Sequence, residues 1–467
     1  MSAAIIWIFI PLFFSILIWF LRHYSKSMMY IGAAFSILIT LSAFFLKVDY
    51  TYLIGNVPFK ISPEMNFLGR SLIITDSDRA IVFLLYLLTT FWLLLGAVFD
   101  SLPSYAAYAL GIVSFLIASL AVEPFLFSAL FIILAVFISV PMLIRMPKKT
   151  GRGEVFYLTF MTLAVPFLLF ASWSASSVES SVMDVGLIQK TTILFVIGFS
   201  LLLSAFPFFI WIPKLAEQYR PARVYFLLSV LPVGCFLIFS KFLIIYPWLR
   251  NAEFFSDALN FSGLLLIVFG GVLAAFQNDA GRMMGFGVVL ENGFLFLALG
   301  FGIEPGLQYL AILIFSRLMG LGVWGISTTI YGYHRDGFSL NQMKNLMWEY
   351  PFVSAGLLVA FFSIGGMPLF GGFPAKALVI QKIVTQRAFM DVFWILLGEI
   401  SFIVGGLRLM SAIIGEAKGE KIIVKESWLE LIFLLLGVLG LFILGIFPSF
   451  SFDLLLQFFN KVGYLQF

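Results

Sequence analysis

Long apolar stretches separated by short polar links make up most of this sequence. A helix that crosses a bilayer needs about 20 mostly apolar residues, and about fourteen stretches approach or exceed that length. The stretches are residues 4–22, 28–46, 79–98, 104–121, 124–145, 155–173, 187–213, 222–247, 259–278, 283–302, 306–331, 350–385, 391–415 and 428–448. This pattern predicts an all-α polytopic membrane protein with about fourteen transmembrane helices.

Two of these stretches are too long for one straight helix, and both contain a pair of prolines. The seventh includes FPFFIWIPK (206–214), and the twelfth includes MPLFGGFPAK (367–376). The equally spaced prolines are Pro207, Pro213, Pro368 and Pro374. A proline removes a backbone donor from a helix, and lipid tolerates the unpaired carbonyls only beside protein or a water-lined cavity. Matching breaks in two halves are typical of transporters built from repeats, so we expect these prolines to be the hinges of broken helices.

The charged residues of the polar links indicate an orientation in the membrane. Basic residues concentrate around 22–26, 145–152 and 214–223. The opposite links carry the acidic residues Asp100, Glu123, Asp184 and Glu304. Links rich in lysine and arginine face the cytoplasm in most membrane proteins. With an even number of helices, both termini are then expected outside the cell membrane. The apolar run from Ala3 to Trp19 is expected to be a first spanning helix because no small-residue cleavage site follows it.

The composition agrees with a membrane protein and excludes several other classes. Hydrophobic residues make up 62% of the chain and charged residues 11%, against about 25% charged residues in a soluble domain. The mean hydropathy is +1.07. A single cysteine, Cys235, excludes a disulfide framework, and two histidines, His23 and His334, are too few for a histidine-rich metal centre. The net charge of +4 does not indicate nucleic acid as a partner.

Several motifs, in order along the chain, resemble those of the antiporter-like subunits of the respiratory complex I superfamily. That superfamily includes proton-pumping membrane subunits of complex I, subunits of multisubunit sodium/proton antiporters, and their counterparts in membrane-bound hydrogenases. The motifs are ITDSDRAIVFLL (74–85), GFSLLLSAFPFFIWIPK (198–214), RPARVYFLLS (220–229), QNDAGRMMGFGVVLENGF (277–294) and GGMPLFGGFPAKALVI (365–380). The resemblance extends from about Phe67 to Ser411, which is most of the chain.

The resemblance implies a division of the chain into units. It implies fourteen helices, with helices 4–8 and 9–13 as inverted repeats and with helices 7 and 12 broken. The expected units are 1–103 with three helices, 104–247 with the first repeat, 259–415 with the second repeat, and 416–467 with the last helix and a tail. The polar segment 47–78 is expected to form an external loop with strand-like alternation near 59–61 and 73–75.

The first half departs from the ionisable residues that the family uses to relay protons. The resemblance implies a glutamate at Val136, a lysine at Leu202, a lysine at Pro232 and a histidine at Phe209. None of the four residues present can exchange a proton. We therefore expect the interior of the first half to be dry and its relay to be lost.

The second half keeps two cations at family positions. Arg317 stands where the resemblance implies a lysine in the eleventh helix, and Lys376 stands at the twelfth-helix position of a lysine or glutamate. A histidine one turn before Arg317 is replaced by Leu313. Lys376 is either a proton-accepting amine or a structural cation held by the carbonyls of the broken helix. Arg317 stays charged in proteins, so a structural or electrostatic role is favoured for it.

Two acidic residues in apolar helices complete the set of candidates for an ion pathway. Glu399 has two interpretations, a counter-charge for Lys376 or Arg317 and a contact with a neighbouring subunit. For Glu291 the favoured interpretation is a satisfied hydrogen bond. An ionisable group inside a membrane costs about 2.5 kcal/mol or more, so each of these groups needs a partner or water. We expect Lys376 and Arg317 to share a hydrated polar pocket, with Glu399 as counter-charge.

Two functional hypotheses follow from the resemblance. In the first, the chain is a membrane subunit of a complex-I-like assembly that moves protons or sodium ions, with Lys376 and Arg317 central. In the second, it keeps the antiporter fold as a scaffold between neighbouring subunits and conducts nothing. Under either hypothesis the partners are other membrane subunits and the lipid bilayer, no residue of this chain is catalytic, and any redox cofactors belong to other subunits.

Overall fold

The computed structural model describes most of the chain, and most of what it describes is helical. The described residues are 2–22, 27–54, 57–67, 69–99, 103–144, 152–180, 185–250, 253–415, 424–449, 452, 453 and 456. A π-helical turn, Ile5–Phe9, leads into the first α-helix. The α-helices are α1 (Ile10–Leu21), α2 (Met28–Phe45), α3 (Arg79–Phe99), α4 (Pro103–Ala121), α5 (Ser128–Ile144), α6 (Gly153–Ser180), α7 (Val185–Leu202), α8 (Trp211–Gln218), α9 (Pro221–Ile245), α10 (Pro247–Arg250), α11 (Glu253–Ala275), α12 (Ala280–Gly300), α13 (Ile303–His334), α14 (Leu346–Glu349), α15 (Pro351–Ile364), α16 (Gly372–Thr385), α17 (Phe389–Ile414) and α18 (Trp428–Ile446).

The helix lengths and compositions establish an all-α polytopic membrane protein, as the apolar stretches predicted. Within the described residues, 11 helices are long and apolar enough to cross a membrane. Three shorter apolar helices accompany them: Ile5–Leu21, Gly186–Leu202 and Pro351–Ile364. The count of fourteen spans, the inverted repeats and the outside location of both termini stay predictions.

The chain leaves the α-helical conformation at both proline motifs. After α7, Ser204 has a φ of 59°, and a 3-10 turn, Phe208–Ile210, precedes α8. After α15, Gly366 has a φ of 69° and Leu369 a φ of 75° before α16 begins. Pro207 and Pro368 lie in these interruptions. Their function as hinges stays a prediction.

The second proline of each motif lies inside the helix that restarts. Pro213 is the third residue of α8, and Pro374 is the third residue of α16. The first N–H groups of a helix have no partner within that helix. A proline at this position therefore removes no helical hydrogen bond, and both helices begin at a point where the proline is tolerated.

Two small antiparallel sheets form in the polar segment after α2. Strands β1 (Thr51–Ile54) and β2 (Val57–Lys60) pair with Thr51 opposite Lys60. Strands β3 (Glu64–Phe67), β4 (Arg70–Ile73) and β5 (Val122–Glu123) form a three-stranded sheet in which β4 is central. The alternation predicted near 59–61 and 73–75 falls at the ends of β2 and β4.

Ion pairs at the helix ends connect α18, and Lys425 before it, to α13 and α14. The carboxylate of Glu349 accepts hydrogen bonds from Lys425 at 2.8 Å and from Arg335 at 2.6 Å. These hydrogen bonds hold the pKa of Glu349 below its ordinary value. Next to them, His334 Nε2 lies 2.8 Å from Glu430 Oε1. The polar end of α18 is thereby fixed to the helix that carries Arg317.

Close glycine contacts bring α17 against α11 and so position Glu399. A Cβ at Gly271 would lie 2.8 Å from the Cα of Gly398 and closer still to its carbonyl group. Gly398 immediately precedes Glu399 on α17. The two backbones can approach this closely only because neither residue has a side chain. The place of Glu399 therefore depends on this glycine pair.

We expect Gly271→Ala to separate α11 from α17 and to lower the free energy of unfolding by about 1–3 kcal/mol, the usual range for overpacking. The measurement is reversible unfolding of the full chain in mixed micelles. Gly322→Ala on α13 is the matched control, because its Cβ would meet Phe91 at an ordinary 3.4 Å. Equal stability of the two variants would show that the α11–α17 contact is loose.

Candidate functional site

Lys376 is buried at the break between α15 and α16, with 2% of its surface exposed. Its Nζ lies 3.4 Å from Glu291 Oε1 on α12 and 3.8 Å from Glu399 Oε1 on α17. The amine also lies 4.8 Å from the ring centroid of Phe294. These three residues, Lys376, Glu291 and Glu399, are called the charged cluster below. It combines one cation with two carboxylates in the interior of the helix bundle.

The broken helix supplies both a hydrogen-bond acceptor and the space for the lysine. Ile364 is the last residue of α15, and its carbonyl accepts a hydrogen bond from Lys376 Nζ. Such terminal carbonyls have no partner within their own helix. A Cβ at Gly366 would lie 2.6 Å from Glu399 Oε1 and 3.1 Å from Lys376 Cδ. A glycine at 366 therefore serves two purposes, since it accommodates a positive φ and leaves room for both charged side chains.

The two carboxylates hold the lysine unequally. Glu291 Oε1 is the nearer atom, and Glu399 Oε1 lies 0.4 Å farther away, beyond hydrogen-bond distance. Among the described residues, Glu399 Oε1 has no hydrogen-bond partner although it is buried. A buried polar atom without a partner is costly, and a water molecule is the usual way of satisfying it. Glu399 Oε1 can therefore accept a hydrogen bond from a further donor.

Arg317 on α13 reaches the charged cluster through an asparagine. Its Nη1 donates to Asn292 Oδ1 at 2.5 Å, and its Nη2 donates to the carbonyl of Leu228 on α9 at 3.2 Å. Asn292 follows Glu291 directly on α12. Arg317 is 1% exposed, and its Nε has no partner among the described residues. Together with the cluster, the guanidinium makes a buried group of two cations and two carboxylates.

Sequence reasoning identified the four charged residues but ranked their contacts differently. It favoured a satisfied hydrogen bond for Glu291 without naming a partner, and Glu291 is the carboxylate nearest to Lys376. It did not find Asn292 or the carbonyl of Ile364. The signal for Glu291 was available, because an acidic residue in an otherwise apolar helix needs a cation or water. Nothing in the sequence identified which cation that would be.

The corresponding region of the first half is filled by hydroxyl and aromatic groups. Val136, Leu202, Pro232 and Phe209, at the positions of the expected relay, are all buried. The hydroxyl oxygens of Ser139 and Tyr157 are 2.8 Å apart, and Tyr157 packs on Trp211 with ring centroids 4.9 Å apart. Over the part of the chain that the structure describes, no ion pair involves the four positions of the lost relay. Among the same residues, no group of histidine, cysteine, aspartate and glutamate could hold a metal ion.

Solved structures of large membrane complexes contain chains with the same fold. A chain of the membrane-bound sulfane sulfur reductase, an archaeal respiratory membrane complex, superposes with a TM-score of 0.80 and 16% identity over 99% of both chains. A chain of respiratory complex I from Thermus thermophilus superposes with a TM-score of 0.75 and 17% identity over 98% of this chain and 99% of that one. At these identities the similarity establishes the fold.

Sequence comparison adds relatives and a family. NADH-quinone oxidoreductase subunit N of Ectopseudomonas mendocina is 27% identical over 266 residues, which cover 54% of this chain and 52% of the relative. Subunit N of Francisella tularensis is 27% identical over 56% of this chain and 54% of the relative. The chain thus spans about half the length of these relatives. The family described as NADH:quinone oxidoreductase/Mrp antiporter, TM matches residues 79–404. The chain belongs to the NADH:quinone oxidoreductase/Mrp antiporter transmembrane family.

Proposed function

We propose that this chain is an ion-translocating membrane subunit of a multisubunit assembly and that the charged cluster is its ion site. One observation carries the proposal: a buried lysine lies between two buried carboxylates at the break of a helix. Removing charges from water is costly. Ionisable groups within membrane spans are accordingly rare, and they mark ion and proton pathways.

The arrangement has the chemistry that proton exchange requires. A proton on the ammonium of Lys376 can move to a carboxylate, and this transfer converts an ion pair into a neutral amine and a neutral acid. Both carboxylates are close enough to take part with little rearrangement. Arg317 does not release its proton, so it contributes a fixed positive charge. The proton therefore moves among Lys376, Glu291 and Glu399.

The assembly around the subunit is part of the proposal. Relatives carry the name NADH-quinone oxidoreductase subunit N, and chains of similar fold occur in complex I and in an Mrp complex. We infer that this chain lies in a cell membrane beside other membrane subunits, with both termini outside. Redox chemistry at cofactors on those subunits would drive protons or sodium ions through the charged cluster.

A scaffold is the second candidate function, and specific observations favour it. The expected relay of the first half is replaced by packed apolar residues, and the carbonyl of Ile364 satisfies Lys376 as a structural cation would be satisfied. In this case the chain would connect neighbouring subunits without conducting. The scaffold predicts that the charge of Lys376 matters and that its ability to release a proton does not.

Lys376→Arg separates the two candidates, because arginine keeps the charge and cannot act as a proton donor. The assembly would be purified through a tag on this chain and reconstituted in liposomes. An imposed pH gradient would then drive proton uptake, with and without sodium. We expect Lys376→Arg to reduce uptake by about a hundredfold or more, which is the range that a positioned acid–base group contributes. Lys382→Arg on the same helix is the matched control. Full uptake by an assembled Lys376→Arg complex would identify Lys376 as structural and establish the scaffold.

A further inference from the structure

Pro232 creates a hydrogen-bond acceptor inside α9. In an α-helix the carbonyl of residue 228 would accept from the N–H of residue 232. Proline has no N–H, so this bond is missing and the carbonyl of Leu228 is left without its helical donor. Arg317 Nη2 takes that place at 3.2 Å. Pro232, which stands where a lysine was expected, thus leaves the Leu228 carbonyl to anchor Arg317 of α13.

The other end of the guanidinium is anchored to the helix of the charged cluster. Nη1 donates to Asn292 Oδ1 at 2.5 Å, and Asn292 is the neighbour of Glu291. Arg317 and Asn292 are both buried. A guanidinium presents its donors in a rigid planar fork, so two anchors on different helices fix its position. Arg317 therefore joins α9, in the predicted first repeat, to α12, in the predicted second repeat.

We propose that Arg317 is a fixed electrostatic barrier between the two halves, which confines mobile cations to the charged cluster of the second half. This inference rests on the proposed function, because it specifies where ions of that site can go. A proton or sodium ion that leaves the cluster toward α9 meets a guanidinium that stays charged. At an effective dielectric of about 20, this repulsion corresponds to roughly a tenfold lower passage rate. Arg317 is thus a positioning and specificity-determining residue.

The barrier depends on the charge, whereas a purely structural tether depends on the hydrogen bonds. Lysine at position 317 retains the charge and loses the planar fork, and methionine loses both. A barrier therefore predicts that Arg317→Met leaks protons and that Arg317→Lys is no more permeable to protons than the parent. A tether predicts that both variants behave alike. Arg408→Met is the matched control, since Arg408 also donates to backbone carbonyls, those of Ala275 and Gln277, away from the junction.

The experiment uses the full chain in liposomes and measures passive proton entry driven by a potassium diffusion potential. We expect Arg317→Met to leak about tenfold faster than the parent, and Arg317→Lys and Arg408→Met to match the parent. The barrier would be overturned if Arg317→Met leaked no faster than the parent. It would also be overturned if Arg317→Met and Arg317→Lys leaked equally. If Lys376→Arg also retains full uptake in the pH-gradient assay of the assembly, the proposed function fails with it. If Lys376→Arg loses uptake, the failure belongs to the barrier alone.

A double-variant cycle keeps the proposal falsifiable if Arg317→Met does not fold, because it tests the anchor that places the guanidinium. Pro232→Ala returns an N–H donor to Leu228 and competes with Arg317 for its carbonyl. We expect the shift in unfolding temperature caused by Pro232→Ala to differ between the parent chain and the Arg317→Lys variant. Pro166→Ala, at a proline inside α6, should shift the unfolding temperature equally in both. Equal shifts for Pro232→Ala in the two backgrounds would show that the Leu228 carbonyl does not anchor Arg317 and would overturn the proposal.

Discussion

Lys376→Met should lower the free energy of unfolding by about 3–5 kcal/mol, the usual consequence of removing one partner from a buried ion pair. Methionine has nearly the length of lysine and fills the same space beside Phe294. It leaves Glu291 and Glu399 buried without the cation that lies 3.4 Å and 3.8 Å from them. The remaining charge imbalance, and not a cavity, is the expected cause of the loss.

Neutralising the carboxylates tests that cause. We expect the triple variant Lys376→Met, Glu291→Gln, Glu399→Gln to recover most of the lost stability, because replacing a buried ionic group as a whole is often neutral. Reversible unfolding in mixed micelles gives the free energies. Lys382→Met, on the last turn of α16, is the control for removing a lysine from this helix. A triple variant as unstable as Lys376→Met would show that the lysine acts through packing and not through its charge.

Stability and ion movement should respond differently to substitutions of this lysine. Arginine keeps the positive charge and is expected to preserve folding, yet it cannot release a proton. Methionine removes both properties. If Lys376→Arg folds but does not conduct, the charge of Lys376 is needed for folding and its ability to release a proton is needed for transport. The scaffold hypothesis gives the lysine only the first of these roles.

The sequence was sufficient for the class of fold because the relevant signals are local. Apolar runs of about 20 residues predict spans without knowledge of their neighbours. The motifs around Pro207 and Pro368 likewise predicted irregular backbone, and the α-helices stop and restart there. Both signals depend on residues that are close together in the chain.

The contacts of the charged residues could not be predicted in the same way, because they depend on how helices rotate and pack. Lys376 and Glu291 are far apart in sequence, and only the packing of α16 near α12 brings Glu291 nearer than Glu399. The hydrated pocket that Arg317 was expected to share with Lys376 stays a prediction, but the hydrogen bonds of Arg317 to Asn292 and to the Leu228 carbonyl were not foreseen. The acceptor at Leu228 exists only in the folded helix, where Pro232 leaves it without a donor.

The two halves therefore differ in what they can do with a buried charge, and Leu202 offers a direct comparison. Leu202 ends α7 as Ile364 ends α15, next to a proline-containing break. It is 3% exposed. The family resemblance implies a lysine at this position. In the second half a lysine has a carbonyl and two carboxylates, whereas in the first half Val136 stands where the resemblance implies a glutamate.

We expect Leu202→Lys to lower the free energy of unfolding by several kcal/mol, the effective penalty for burying an ion that has no counter-charge. Leu202→Met is the matched control, because it keeps a flexible chain of similar volume and usually costs less than about 1.5 kcal/mol. The two variants would be compared by reversible unfolding in mixed micelles, and by proton uptake of the reconstituted assembly. If Leu202→Lys were as stable as Leu202→Met, water or an acidic group would reach this position. The interior of the first half would then be hydrated, and a second ion site in this chain would have to be considered.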